Sequence, residues 1–177
     1  MITLLAVDGG LATCGIVLVR VYYNDTPRCE RAWAFENPKM GADVNDERRR
    51  RTRELVRAFD NIVMEYNPDI IASEAMSFPR HRAAFVAISL AWGVVEAVSV
   101  LRDVPLIAEG PKELRKAICA SGTEKAAHRA ALRGIADFPR QARHIPRRMQ
   151  VHAYDALSVA CWALATKTVK NMLQERG

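Results

Sequence analysis

Four residues able to do chemistry stand where burial alone would not place them. Asp8 closes the apolar run Ile2–Val7, Glu74 closes Ile70–Ser73, and His152 and Asp155 lie three apart in an alanine-rich apolar stretch. Charge at the end of a buried strand is costly unless it is paired or metal-bound. Residues at i and i+3 project from the same face of a helix. Each has a structural alternative: Asp8 as a turn residue before Gly9, Glu74 as a loop cap, His152 and Asp155 as a hydrogen-bonded polar notch in the core. Together they suggest a site, because the carboxyl ends of parallel strands are where α/β sheets gather functional groups. Three carboxylates and an imidazole raise one another's pKa, and divalent cations relieve that repulsion. Oxygen-rich donors suit Mg²⁺ or Mn²⁺. A pair of such ions about 3.5–4 Å apart clamps the attacking and leaving oxygens of a phosphodiester displacement.

The elements that must carry these residues can be read from periodicity and turn signals. Residues 2–8, 15–22 and 29–35 read as three strands joined by short turns (Gly9-Gly10; Asn24-Asp25-Thr26-Pro27), an antiparallel meander. A helix follows from about Asp46 to Tyr66, with Leu55, Phe59, Ile62 and Tyr66 on one face, and Asn67-Pro68-Asp69 stops it. Residues 70–73 form a fourth strand ending at Glu74, residues 80–101 a long Ala/Val-rich helix, and residues 106–108 a fifth strand. The remainder is helical over 111–119, 123–136 (Thr123 as N-cap) and about 150–172. This predicts an α/β fold: a five-stranded mixed sheet, three strands antiparallel and then two parallel, flanked by helices. With no repeat or linker, residues 1–177 are expected to form one domain.

Composition narrows the partners. The chain has 177 residues and a formal net charge of +6, and 20 of its 26 cationic residues are arginine. Arginine presents a planar fork suited to phosphate oxygens. The basic residues crowd three stretches: Arg48–Arg57; Lys112, Arg115 and Lys116 with Lys125, Arg129 and Arg133; and Arg140, Arg143, Arg147 and Arg148 with His144. Such clusters are the footprint of a polyanion partner, although a solvated helix face has the same composition. The four cysteines show no CxxC or CxxH spacing, so neither a zinc site nor a disulfide framework is indicated. Charge interrupts the apolar runs, so no membrane span is expected. The first residues lack a signal-peptide pattern, which predicts a cytoplasmic location, in a bacterial cell or a phage-infected host.

The ordered set Asp8-Gly-Gly…Gly15-Ile-Val-Leu-Val, Ile70-Ile-Ala-Ser-Glu74 and His152-Ala-Tyr-Asp155-Ala-Leu-Ser-Val-Ala resembles the RuvC family, the Holliday-junction resolvases of the RNase H-like superfamily. Ala91-Trp92-Gly93-Val94-Val95, Gly110-Pro-Lys-Glu-Leu-Arg-Lys-Ala117 and Gly122-Thr-Glu-Lys125 extend the likeness, which runs from residue 3 to about residue 165. The resemblance implies paired symmetric nicking of four-way DNA junctions by a homodimer, with two Mg²⁺ or Mn²⁺ ions per active site and no organic cofactor. It makes Asp8, Glu74, His152 and Asp155 the metal ligands, His152 standing where the family carries Asp or His. It places Lys125 near the scissile phosphate and Arg115 near a second basic position of the family. Phe78, Arg80, Lys112, Arg115, Lys116, Arg147 and Arg148 are the expected DNA contacts. Two cuts require two sites related by a two-fold axis. The helix over 80–101 is the expected interface through Ala84, Ile88 and Trp92, with core packing of that helix as the alternative.

Three features depart from the family pattern: Phe78 is displaced by about one position, the glycine-rich stretch before Lys125 is a residue or so shorter, and the Arg48–Arg57 run is heavier. They point to a phage-encoded or otherwise specialised relative. The rival readings are a flap or debranching nuclease, a ribonuclease H, and a non-catalytic junction-binding module. Actin-like ATPases and sugar kinases share the opening strand and Asp-Gly, but need a longer, two-lobed chain.

Overall fold

The computed structural model describes the chain apart from residues 42, 77–80, 120–122 and 177. Phe78 and Arg80 therefore lie outside the described residues. Five strands, β1 (Ile2–Asp8), β2 (Thr13–Val21), β3 (Arg28–Glu36), β4 (Ile70–Glu74) and β5 (Leu106–Glu109), form one sheet in the order β3-β2-β1-β4-β5. β1–β2 and β2–β3 pair antiparallel, β1–β4 and β4–β5 parallel, as the sequence predicts.

Strand alternation divides the sheet between two helical layers. Ile2, Leu4 and Ala6 of β1, Val17, Val19 and Val21 of β2, and Ile70 and Ala72 of β4 face one cluster; Leu5, Val7, Ile16, Leu18 and Ile71 face the other. The second face is covered by α1 (Val44–Tyr66) and α2 (Arg82–Arg102). In α1, Leu55, Phe59 and Ile62 are buried on the expected stripe, and the Tyr66 ring meets Trp33 edge-on at 5.4 Å. Asp43 caps the start of α1 by accepting from the Asn45 and Asp46 N–H groups, and Asn67 ends it in the left-handed region.

The first face carries α3 (Pro111–Ile118), α4 (Glu124–Gly134), α5 (Phe138–Gln141) and α6 (Gln150–Ala165), followed by α7 (Lys167–Glu175). The single helix expected over 150–172 is instead two. Thr166 takes an extended conformation, and its hydroxyl accepts from the Val169 N–H, which restarts the chain as α7. A hydroxyl able to satisfy a free helix donor competes with continuing the helix.

The interruption of apolar runs by charge is weakest in α2. α2 is long and apolar enough to cross a membrane by length and composition, since Glu96 alone interrupts its apolar stretch. Ala91, Val94, Val95 and Val98 nevertheless pack into the core. Its outer stripe, including Gly93, Ala97, Val100 and Leu101, remains exposed.

Candidate metal centre

Alternation decides where the acidic residues point. Asp8 continues the Ile2–Leu4–Ala6 face of β1, and Glu74 continues the Ile70–Ala72 face of β4, both toward α6. The parallel register pairs Val7 with Ser73, so the next residues of the two strands, Asp8 and Glu74, stand side by side at the carboxyl end of the sheet's central strands. Both line a cavity of about 150 Å³ with Ser73, Met76, Ile88, Trp92 and Val95.

α6 brings the other half of the site. His152 Nδ1 lies 3.2 Å from Asp8 Oδ2. Asp8, His152 and Asp155 each offer a ligand atom, and the three atoms lie within 4.8 Å of one another. A glycine permits this approach. Gly15 is the cross-strand partner of Asp8, and a Cβ there would come within 2.0 Å of the His152 carbonyl oxygen.

The electrostatics are those of an acidic cluster. Burial pushes the Asp8 carboxyl above its ordinary value, the His152 hydrogen bond opposes that, and the Asp155 charge adds to it. Glu74 is raised to about 7, chiefly by burial and then by the Asp8 charge, while Arg115 works in the other direction. The hydrogen bond to Asp8 raises His152. Carboxylates that resist ionising together, with an imidazole among them, are a donor set that a divalent cation satisfies. The residues present fit such an ion.

Two members of the cluster escaped the sequence reading. His128 Nε2 lies 2.7 Å from Asp155 Oδ1. Glu124, one turn earlier on α4, has a carboxylate oxygen within 4.8 Å of the His128 and Asp155 donor atoms. The available signal was their i, i+4 spacing just after the Gly-Thr-Glu-Lys segment, which stacks them on one helix face.

The basic residues divide. Arg115 is half-buried close to Glu74, whereas Lys112 and Lys116 on α3 and Lys125 in the first turn of α4 are exposed. Arg147 is exposed, and Arg148 is paired with Glu36 at 2.6 Å. In the arginine-rich start of α1, Arg50 and Arg51 bind the buried Glu47, and Arg50 also binds Glu54. Arg48, Arg49, Arg53 and Arg57 have no ion pair among the described residues, and they line a groove of about 680 Å³ against Val56 of α1 and Val86 and Leu90 of α2.

The residues expected at the interface, Ala84, Ile88 and Trp92, take the following places in the single chain. Ile88 and Trp92 are half-buried and face the cavity beside Glu74, forming a wall of the acidic site. Ala84 is also half-buried.

The family model described as "Crossover junction endodeoxyribonuclease RuvC" matches residues 4–162. Curated proteins of that description from Paenarthrobacter aurescens and Pseudarthrobacter chlorophenolicus are each 28% identical over 119 residues, covering 67% of this chain. The match spans 60% and 59% of those two proteins' lengths, respectively. Among solved structures, a T. thermophilus RuvC in complex with a Holliday junction substrate superposes with a TM-score of 0.72 at 19% identity, covering 92% of both chains. The yeast mitochondrial Holliday junction resolvase Ydc2 superposes at 0.62 and 12% identity, covering 98% of this chain and 86% of the other. At these identities the two superpositions speak for a shared fold.

Proposed function

Because the chain belongs to the RuvC family, we propose that it is a structure-selective endonuclease that resolves four-way DNA junctions by paired nicks. The observation that carries this reading is the convergence of Asp8, His152 and Asp155 within 4.8 Å at the carboxyl end of the parallel strands, with Glu74 beside them.

Asp8, Glu74, His152 and Asp155 are the residues that would hold Mg²⁺ or Mn²⁺, two ions per site. Bound there, the ions would supply an activated water and neutralise charge on the leaving 3′-oxygen. The chain's own residues do the remaining work. The Asp8–His152 contact fixes the imidazole against the strand end, so the donors are oriented before DNA arrives. Arg115 moderates the negative field at Glu74, which a phosphate must approach. Lys125, exposed beside Glu124 in the first turn of α4, meets the scissile phosphate in this reading. Lys112, Lys116, Arg147 and, on α1, Arg48, Arg49, Arg53 and Arg57 supply phosphate contacts, which set affinity and salt dependence rather than sequence preference.

Two symmetric cuts call for two copies. The homodimer packs through the outer stripe of α2, where Gly93, Ala97, Val100 and Leu101 are exposed. Nothing stands within 4 Å of a Cβ built at Gly93, so a partner backbone can approach closely there.

The deciding experiment presents purified protein with Mg²⁺ and a matched panel of fixed and mobile four-way junctions, a three-way junction, a flap, a duplex and an RNA–DNA hybrid. Paired symmetric nicks confined to the four-way junctions are expected. Cutting across the branched substrates would make the protein a general debranching nuclease, and cutting of the hybrid alone a ribonuclease. Binding without cutting would make it a junction-binding module.

A further inference from the structure

The contact between α4 and α6 extends the site beyond the four expected residues. His128 Nε2 and Asp155 Oδ1 are 2.7 Å apart, a short distance of the kind seen when a carboxylate accepts from an imidazole N–H. The His128 side chain is 17% exposed, so water competes weakly for the bond. The ring is held from behind. It packs on Tyr154 with centroids 5.4 Å apart, and Tyr154 packs on Phe138 at 5.1 Å, which is fully buried. A chain of ring contacts thus runs from the core through Tyr154 to His128.

We propose that His128 is a positioning residue that holds the Asp155 carboxylate in its cation-binding orientation. The inference rests on the reading of Asp155 as a cation ligand. A carboxylate free to rotate pays an ordering cost each time it binds a cation. Engaging one oxygen beforehand removes that cost and leaves the other oxygen for the ion. Partners of this kind behind a metal ligand typically contribute 10–100-fold in metal affinity or activity. His128 has to carry its proton on Nε2 to donate to Asp155, so an amide N–H at the same reach can replace it. Glutamine offers that reach through its Nε2, whereas asparagine is one methylene too short.

The test compares wild-type protein with His128→Ala, His128→Gln and His128→Asn. Mn²⁺ affinity is measured by isothermal titration and by paramagnetic resonance of the free ion, alongside thermal melting and nicking across a Mn²⁺ titration. His128→Ala and His128→Asn are expected to weaken Mn²⁺ binding by about 10–100-fold and to recover most of their nicking rate at saturating Mn²⁺. His128→Gln should bind Mn²⁺ within a few-fold of wild type. Wild-type Mn²⁺ affinity in His128→Ala would overturn the proposal. So would equal loss in the alanine and glutamine variants with one fewer Mn²⁺ bound, which would make His128 a ligand in its own right. A wild-type protein that binds Mn²⁺ but nicks no branched DNA would sink the nuclease reading alone, and the affinity ratios would still decide the role of His128. A wild-type protein that binds no Mn²⁺ would overturn both.

Discussion

His152 Nδ1 sits 3.2 Å from Asp8 Oδ2, a contact between residues 144 positions apart that joins the first strand to the sixth helix. The distance depends on Gly15, the cross-strand neighbour of Asp8, whose missing side chain makes room for the His152 backbone. Gly15→Ala would place a methyl within 2.0 Å of backbone that lacks a flexible end to move aside. The substitution should cost about 3 kcal/mol or more, or roughly 6–12 °C in Tm, and should weaken Mn²⁺ binding by displacing His152. Thermal melting and isothermal titration check both effects; a Tm within 2 °C of wild type would show that α6 can retreat freely.

Neutralising the proposed ligands tests the chemistry directly. Asp8→Asn and Asp155→Asn keep the side-chain volume and remove the charge a divalent cation needs. Each is expected to abolish nicking of a four-way junction in Mg²⁺ while junction binding by gel shift stays within a few-fold. Retained nicking by both variants would overturn the site assignment.

The pH dependence follows from three shifts of one sign. Glu74 is raised from 4.5 to about 7, and Asp8 and His152 are raised as well. A group whose folded pKa lies above its unfolded value contributes stability that is fully present below the unfolded pKa and is lost as pH rises through the folded one. Metal-free protein should therefore lose stability as pH rises from about 4.5 through about 7, the window set by Glu74. Glu74→Gln should flatten that slope and raise the metal-free Tm at pH 7.5 by at least about 2 °C. Saturating Mg²⁺ should reverse the loss in wild type. The buried Glu47 has the opposite sign: hydrogen bonds from Arg50, Arg51 and the Met40 N–H lower it to about 2, so its contribution is lost only as pH falls from 4.5 toward 2. A wild-type melt that rises with pH across 4.5–7 without metal would contradict the assignment.

Much of this arrangement was legible in the sequence because strand alternation carries direction. Ile2, Leu4 and Ala6 point to one face, so Asp8 had to follow them, and Glu74 had to follow Ile70 and Ala72. His152 and Asp155 were legible because charge is conspicuous in an apolar helix. Glu124 and His128 were far less conspicuous, because charged residues recur along α4 (Lys125, Arg129, Arg133) and an i, i+4 acid–imidazole pair does not stand out among them. Only packing of α4 against α6 gives His128 its meaning. The break at Thr166 was hidden for a similar reason, since a threonine inside an apolar helix does not reveal whether its hydroxyl caps a new one. The division of labour between the α2 faces was not legible because its apolar residues run nearly all the way round. Composition could not say that Ile88 and Trp92 wall the site while Gly93 and Ala97 face outward.

Lys125 separates rate from affinity. An ammonium that meets the scissile phosphate gains strength as charge builds in the transition state, whereas an ordinary phosphate contact acts equally before and during cleavage. Lys125→Ala is expected to slow single-turnover nicking on the order of 100-fold while junction affinity changes by less than about fivefold, one phosphate contact among many. Equal losses in rate and affinity would make Lys125 a simple backbone contact.

The outer stripe of α2 can be tested without touching the site. Ala97 and Leu101 are exposed in the single chain, so Ala97→Glu and Leu101→Glu leave the core intact. Between two apolar helices, however, each would bury an unpaired charge in both copies, a cost of several kcal/mol that a dimer interface of ordinary size cannot absorb. Wild-type protein is expected to sediment as a dimer and both variants as monomers with unchanged melting of the single chain. On a four-way junction the monomers should leave uncoupled single nicks, because each copy carries one acidic centre. Variants that remain dimeric would move the interface elsewhere, and a wild-type protein that is monomeric with and without junction DNA would remove the structural basis for paired cutting.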